Sequence, residues 1–317
     1  MRSVGFGLRH QWNYDVLHFY FGQTFLSPGF PLSENAALNK FLSYLTTSDL
    51  RAARRLGKKL FMTLQGCDVR LAKEGNARNA WTMCAPEHCD MYQRCVDILD
   101  NRRRYLVNEV LPLFDHVFYL NPELGHAVPN GQFLPYANVE IEKFAVEPPS
   151  RFGKPRIVHA PSNASIKGTP MILEALRQLQ SSHDFELILV EKKTHEEALA
   201  LYRSADLAID QVLAGWYGGF AVETMAMGKP VACYIRDNDL RFVPEAMRRE
   251  MPIFHVTPAN LVKDLGAILD RRSEWEARGQ DGRRYVKRWH NPEHIAKAML
   301  RAYAARDNGF QLEPDNT

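Results

Sequence analysis

The sequence predicts an α/β protein built from two Rossmann-like, doubly wound parallel-sheet domains. Three observations carry that prediction. Short apolar runs alternate with longer amphipathic ones along nearly the whole chain. The apolar runs are almost continuous, as in parallel strands covered on both faces. A length of 317 residues suits two cores of ordinary size.

In chain order, the strand-like runs of the first half are DVLHFYF (15–21), KLFMTLQ (59–65), HVFYL (116–120) and QFLPY (132–136). Helical periodicity fills 36–56 and 101–113 between them. The second half offers RIVHA (156–160), FELILVE (185–191), LAIDQV (207–212), PVACYI (230–235) and IFHV (253–256). These alternate with KGTPMILEALRQLQ, THEEALALYRSA, GGFAVETMAMG and VPEAMRRE, the pattern of right-handed βαβ crossovers. Residues 139–155 carry three prolines, mixed charge and no clean period, which reads as a hinge. The expected domains are therefore 1–150 and 151–317. Residues 271–305 close the second as one or two helices, with Asn291-Pro292 marking a break, and the end DNGFQLEPDNT is expected to fray.

Composition excludes several classes. Nineteen glycines and eighteen prolines are an ordinary share, so the chain is not collagen-like or of low complexity. No apolar run reaches the ~18 residues that span a bilayer, and the start MRSVGFGLRHQWNYD lacks a signal-like apolar stretch. A cytoplasmic protein is expected. A net charge of +3 does not suggest a nucleic-acid binder. Five cysteines, an odd count, argue against a disulfide framework. Cys67, Cys84, Cys89 and Cys95 could form a structural zinc site, but C-x4-C and C-x5-C spacings lack the usual C-x2-C knuckle. Buried or loop thiols are the simpler reading, and Cys233 lies in an apolar run. RAARRLGKK (51–59) is either a solvated helix face or a basic surface for the inner face of a membrane.

Open α/β sheets bind ligands at the carboxyl ends of their strands. After RIVHA comes PSNASIKGTP, where Lys167, Gly168, Thr169 and Pro170 lead into a helix. A flexible turn, a lysine and exposed helix N–H groups suit a phosphate. After LAIDQV comes LAGWYGGFAVETMAMGKP. Gly218-Gly219 would let a ligand approach the next helix start, and Glu223, one turn inside, would accept from vicinal hydroxyls. Each feature has a plainer reading: a KG turn is common, a glycine pair permits tight packing, and a glutamate is often solvated. Trp216 and Tyr217 either stack on a ligand or pack the crevice wall.

HAPSNASIKGTPMILEAL followed by ADLAIDQVLAGWYGGFAVETMAMGKPVACYI resembles the C-terminal domain of family 4 retaining glycosyltransferases of the GT-B fold, over about residues 155–305. DVLHFYF and DLRAARRLGKKLFMTLQGCDVR are similar to the middle of that family's acceptor-side N-terminal domain. The resemblance implies a nucleoside-diphosphate sugar as donor, retention of configuration and no metal or other cofactor. It places Lys167 at the leaving diphosphate, with Gly168 in its turn. It places Gly218, Gly219 and Phe220 at a diphosphate-cradling helix start, and Glu223 on the ribose. It also implies that the last helices cross back toward the first domain.

The departures are equally specific. The first glutamate of the family's Glu-x7-Glu motif falls at Gly215, leaving Asp210 and Gln211 as the nearest polar substitutes. The arginine before the KG turn falls at Ser162, and an N-domain histidine falls at Gln65. His18 is then the alternative catalytic candidate, or a histidine at the core edge. The strand DVLHFYF comes at residue 15, earlier than the family pattern, so the resemblance implies a shortened N-terminal domain or a partner that completes it. The expected activity is transfer to an unidentified acceptor, whether glycan, lipid-linked or small molecule. The alternative is an inactive donor-binding or scaffold relative.

Overall fold

The computed structural model of the chain describes residues 11–26, 35–305, 310 and 312. These divide into two units, each built on its own parallel sheet. The first takes the described residues up to Ala80, Asp90–Leu134 and the stretch from Met299 to Phe310; the second takes Trp81–Cys89 and Pro135–Ala298, with Leu312. The division thus falls at Leu134–Pro135, earlier than residue 150.

The first sheet runs β1 (Val16–Tyr20), β2 (Lys59–Leu64), β3 (His116–Tyr119) and β4 (Gln132–Phe133) in that spatial order. Leu60, Phe61, Met62, Leu64 and Phe118 are fully buried, as strands covered on both faces require. The helical run at 36–56 is two helices, Ala36–Thr46 and Ser48–Arg55, parted at Thr47. The run expected at 101–113 begins earlier, at Tyr92, and contains π-helical turns at Cys95–Leu99 and Leu106–Val110. Between them Asp100 is buried, paired with Arg103 at 2.9 Å. Its carboxylate also accepts the Ala72 and Lys73 N–H groups at 3.0 Å, capping the helix Ala72–Arg78 from a distant element.

His18 needs correction as a catalytic candidate. Its Nδ1 lies 2.5 Å from the Tyr303 hydroxyl and its Nε2 2.8 Å from Thr63 Oγ1. Both ring nitrogens are engaged within the unit, and burial pushes its pKa down to about 4. It is a histidine of the core edge. The basic run 51–59 is also partly internal. Lys59 Nζ donates to the Tyr303 and Ala305 carbonyls at 2.6 and 2.7 Å, and Lys58 Nζ to that of Trp12 at 3.2 Å. Arg55 points outward. Of the four clustered cysteines, Cys67 and Cys95 belong to the first unit and Cys84 and Cys89 to the second, and all four are free thiols. Among the described residues no group of three or more His, Cys, Asp or Glu side chains is arranged around a metal.

The second sheet comprises β5 (Arg156–His159), β6 (Glu186–Leu189), β7 (Leu207–Ile209), β8 (Val231–Cys233) and β9 (Phe254–His255), all parallel, in the order β6-β5-β7-β8-β9. The chain winds to one side of β5 and then to the other. The carboxyl ends of β5 and β7 therefore flank a topological switch point, where ligands of open α/β sheets lodge.

The proline-rich segment 139–155 lies wholly within this unit and is strapped to it. Glu147 N–H donates to Met227 O at 3.0 Å, and Ser150 N–H to Asp206 at 2.7 Å. Arg272 holds the carbonyls of Ser150, Phe152 and Gly153. The closing helices are Trp275–Trp289 and Pro292–Ala304. Asn291 Oδ1 accepts the Glu293 N–H at 3.0 Å and so starts the second of them.

Between those helices the buried His290 bonds the Tyr217 hydroxyl through Nε2 at 2.9 Å and donates from Nδ1 to Tyr136 O at 2.8 Å. Burial lowers its pKa to about 4, from an ordinary value near 6.5. The unfolded chain then binds this proton more readily than the folded one. The associated stability is complete above pH 6.5 and is lost as pH falls toward 4, on the order of 3 kcal/mol. Melting temperature should fall over that window, and His290→Asn should flatten the fall while lowering the plateau at neutral pH. An unchanged acid limb in the variant would refute the assignment.

Candidate functional site

The site is built on the two loops at the switch point. After β5, Asn163 caps the short helix Ala164–Lys167, its side chain accepting the Ile166 N–H at 3.0 Å. Gly168 ends that turn at φ +76, and a Cβ there would stand 2.5 Å from Val212 Cγ2. The left-handed conformation and the close approach each require glycine. His159, fully buried at the end of β5, joins Ile209 O and Thr169 Oγ1, both at 2.8 Å. It ties the KG turn to the strand beside it.

Lys167 Nζ is held 2.8 Å from Asp210 Oδ1, and Asp210 Oδ2 accepts the Gly218 N–H at 2.6 Å. The ammonium consequently stands beside the start of the helix Gly219–Ala226: a Cβ built on Gly218 would be 3.3 Å from it. A lysine and a helix N-terminus thus stand side by side, with the Asp210 carboxylate bridging them and offsetting part of the lysine's charge. Asn138 lies over the same helix start, its amide nitrogen 2.9 Å from where a Gly219 Cβ would be. Phe220 is buried against Tyr202 in an edge-on contact of 4.8 Å between centroids.

Glu223, one turn along, keeps a side chain 12% exposed, with Oε1 3.7 Å from His195 Nε2. Burial raises its pKa, and His195 opposes the rise. Tyr202 lies in the field of the Glu223 and Asp210 carboxylates. Burial and those charges push its phenol up to about 12, so it stays a hydrogen-bond donor at neutral pH.

Several candidates take other roles. Asp210 is fully buried and both its oxygens are engaged, so it has no face for a sugar; it positions Lys167 and the helix start. Gln211 donates to Trp216 O at 2.5 Å. Tyr217 is fully buried, its hydroxyl bonded to Tyr285 and His290, and Trp216 is buried against it at 4.4 Å between ring centroids. Both aromatics are core residues, since rings packed on all sides offer a ligand no surface. Ser162 is exposed on the loop before Lys167.

Gly215, at φ +77, falls where the resemblance would place the first glutamate of the Glu-x7-Glu motif, and its place is backed by Arg236. The buried Arg236 guanidinium bonds Leu213 O at 3.2 Å, Trp81 O at 3.0 Å and Asp239 at 2.7 Å, fixing the loop after β7. Sequence reasoning missed Arg236, Asn138, Tyr202 and His195. A charged residue in the apolar run PVACYIR was the one local signal for Arg236; the other three had none.

No protein-family model matches the chain, and neither does any curated protein. Solved structures do. Sucrose-phosphate synthase from Thermosynechococcus elongatus is similar with a TM-score of 0.55 at 14% identity, over 96% of this chain and 76% of that one. Anabaena HepE in complex with UDP gives 0.56 at 12%, over 95% and 81%. A trehalose-6-phosphate synthase studied for glycosyltransfer with retention gives 0.53 at 9%, over 96% and 77%. At such identities the likeness is one of fold. The chain has the GT-B fold, two Rossmann-like parallel-sheet units.

Proposed function

We infer that the chain is a glycosyltransferase that moves a sugar from a nucleoside diphosphate to an acceptor with retention of configuration. The observation that carries this reading is the convergence at the β5–β7 switch point. Lys167 stands beside the start of Gly219–Ala226 and Glu223 follows one turn along the same helix, a spacing that would suit the phosphates and ribose of such a donor. The likeness to HepE, solved with UDP, and to a synthase described as transferring with retention supports it.

The difficult step is departure of the diphosphate, which leaves an oxocarbenium-like sugar. Lys167 and the helix start would stabilise the charge gathering on the departing phosphate. The acceptor hydroxyl then attacks the face the phosphate left, its proton passing to the departing phosphate oxygen as the sugar–phosphate bond breaks. Because the chain supplies this positive charge itself, transfer is expected to persist in EDTA. Loss of activity in EDTA, restored by Mg²⁺ or Mn²⁺, would overturn the metal-independent reading.

Thermal denaturation with UDP, GDP and ADP tests donor binding, since a ligand at 100 times its Kd adds ~2.7 kcal/mol of stability. One of the three is expected to raise the melting temperature, and Glu223→Gln to remove most of the rise. Hydrolysis of the matching nucleotide-sugar without acceptor then separates enzyme from inactive relative. The enclosed Asp210 and the glycine at 215 favour the second reading, and binding without any turnover would establish it.

A further inference from the structure

No motif pointed to His195, yet the fold brings its ring to Glu223. His195 is the first residue of the helix His195–Ser204 and stands 27 intervening positions before Glu223, with β7 between their two helices. The start of its helix is well anchored. The Thr194 N–H donates to Glu197 at 2.8 Å and the Glu197 N–H returns to Thr194 Oγ1 at 3.3 Å, a closed capping box.

The two side chains are differently set. The Glu223 side chain is 12% exposed and the His195 side chain 68% exposed, so a carboxylate fixed in the wall has an imidazole at the rim above it. Their separation of 3.7 Å exceeds a hydrogen bond, and the pair is open. A hydroxyl lodged on the carboxylate would fall within reach of the ring.

The geometry points to His195 as the second half of a clamp on the donor's ribose diol, its imidazole bonding one hydroxyl while Glu223 accepts from the other. This rests on the donor reading above. The competing account is a surface ion pair, which contributes little and discriminates between no ligands. Two partners on two vicinal hydroxyls make a specificity-determining site, because loss of one hydroxyl leaves a polar group without its ligand bond.

The test is a binding cycle by calorimetry. UDP, GDP and ADP are titrated into the full chain, and then the 2′-deoxy and 3′-deoxy forms of whichever binds. With the unaltered chain, at least one deoxy form should bind about 10-fold more weakly. His195→Ala should weaken the parent nucleotide by about 5-fold to 10-fold and shrink that deoxy penalty toward unity, with His195→Gln intermediate. His195 is exposed, so both variants should melt at the parental temperature, and this is measured first. Parent affinity unchanged in His195→Ala, or a deoxy penalty that persists in it, overturns the clamp alone. Failure of all three nucleotides to bind the unaltered chain overturns the donor reading and the clamp with it.

Discussion

Lys167→Ala should lower sugar transfer by about 10²-fold or more and destabilise the fold as well. The first effect follows from losing the cation beside the helix start, where negative charge develops. The second follows from Asp210, which is fully buried and keeps only the Gly218 N–H once the lysine is gone. An uncompensated buried carboxylate costs about 3 kcal/mol, or roughly 5–10 °C of melting temperature for a chain of this size. Adding Asp210→Asn removes the charge while leaving an oxygen for Gly218. Lys167→Ala/Asp210→Asn should therefore recover most of the melting temperature and none of the activity. That separation of stability from rate is the diagnostic result. Full activity in Lys167→Ala would sink the site assignment, and an unchanged melting temperature would show that the pair is not the buried bridge described.

Gly215→Glu, which would introduce the carboxylate that the resemblance leads one to expect there, should destabilise the fold by about 3–5 kcal/mol without raising transfer activity. The φ of +77 disfavours any residue with a Cβ, and that atom would lie 2.6 Å from Arg236 Cζ and 2.8 Å from its Cβ. Arg236 cannot yield without releasing Leu213 O, Trp81 O and Asp239. Gly215→Ala isolates the backbone and Cβ effects and should carry most of the loss in chemical denaturation. If Gly215→Ala unfolds at the parental denaturant concentration, the close packing against Arg236 is not a constraint. The glycine at this position is thus built into the loop: it and the buried arginine occupy one volume between them.

The KG and GG turns were legible because their chemistry is written in adjacent residues. Lys167-Gly168 is a turn whose positive φ selects glycine, and Gly218-Gly219 opens a helix whose N–H groups are a property of any helix start. The aromatics were not legible in the same way. Trp216 and Tyr217 follow a glycine, a setting that fits a ligand platform or a packed wall equally well. Tyr285 and His290, some 70 positions on, enclose Tyr217. His18 was undecided for the same reason: its partners, Thr63 and Tyr303, are 45 and 285 positions away.

Element order, the parallel character of both sheets and the KG and GG turns could be read from the chain because they follow from local preference and hydrophobic period. Those act over a few residues and need no partner. Which carboxylate is enclosed and which keeps some exposure required the folded chain. Asp210 is closed in by Lys167 and Gly218, whereas Glu223 stays open under His195. Burial and pairing are set by residues that topology brings together from distant positions, and a linear pattern of residue types holds no record of those distances.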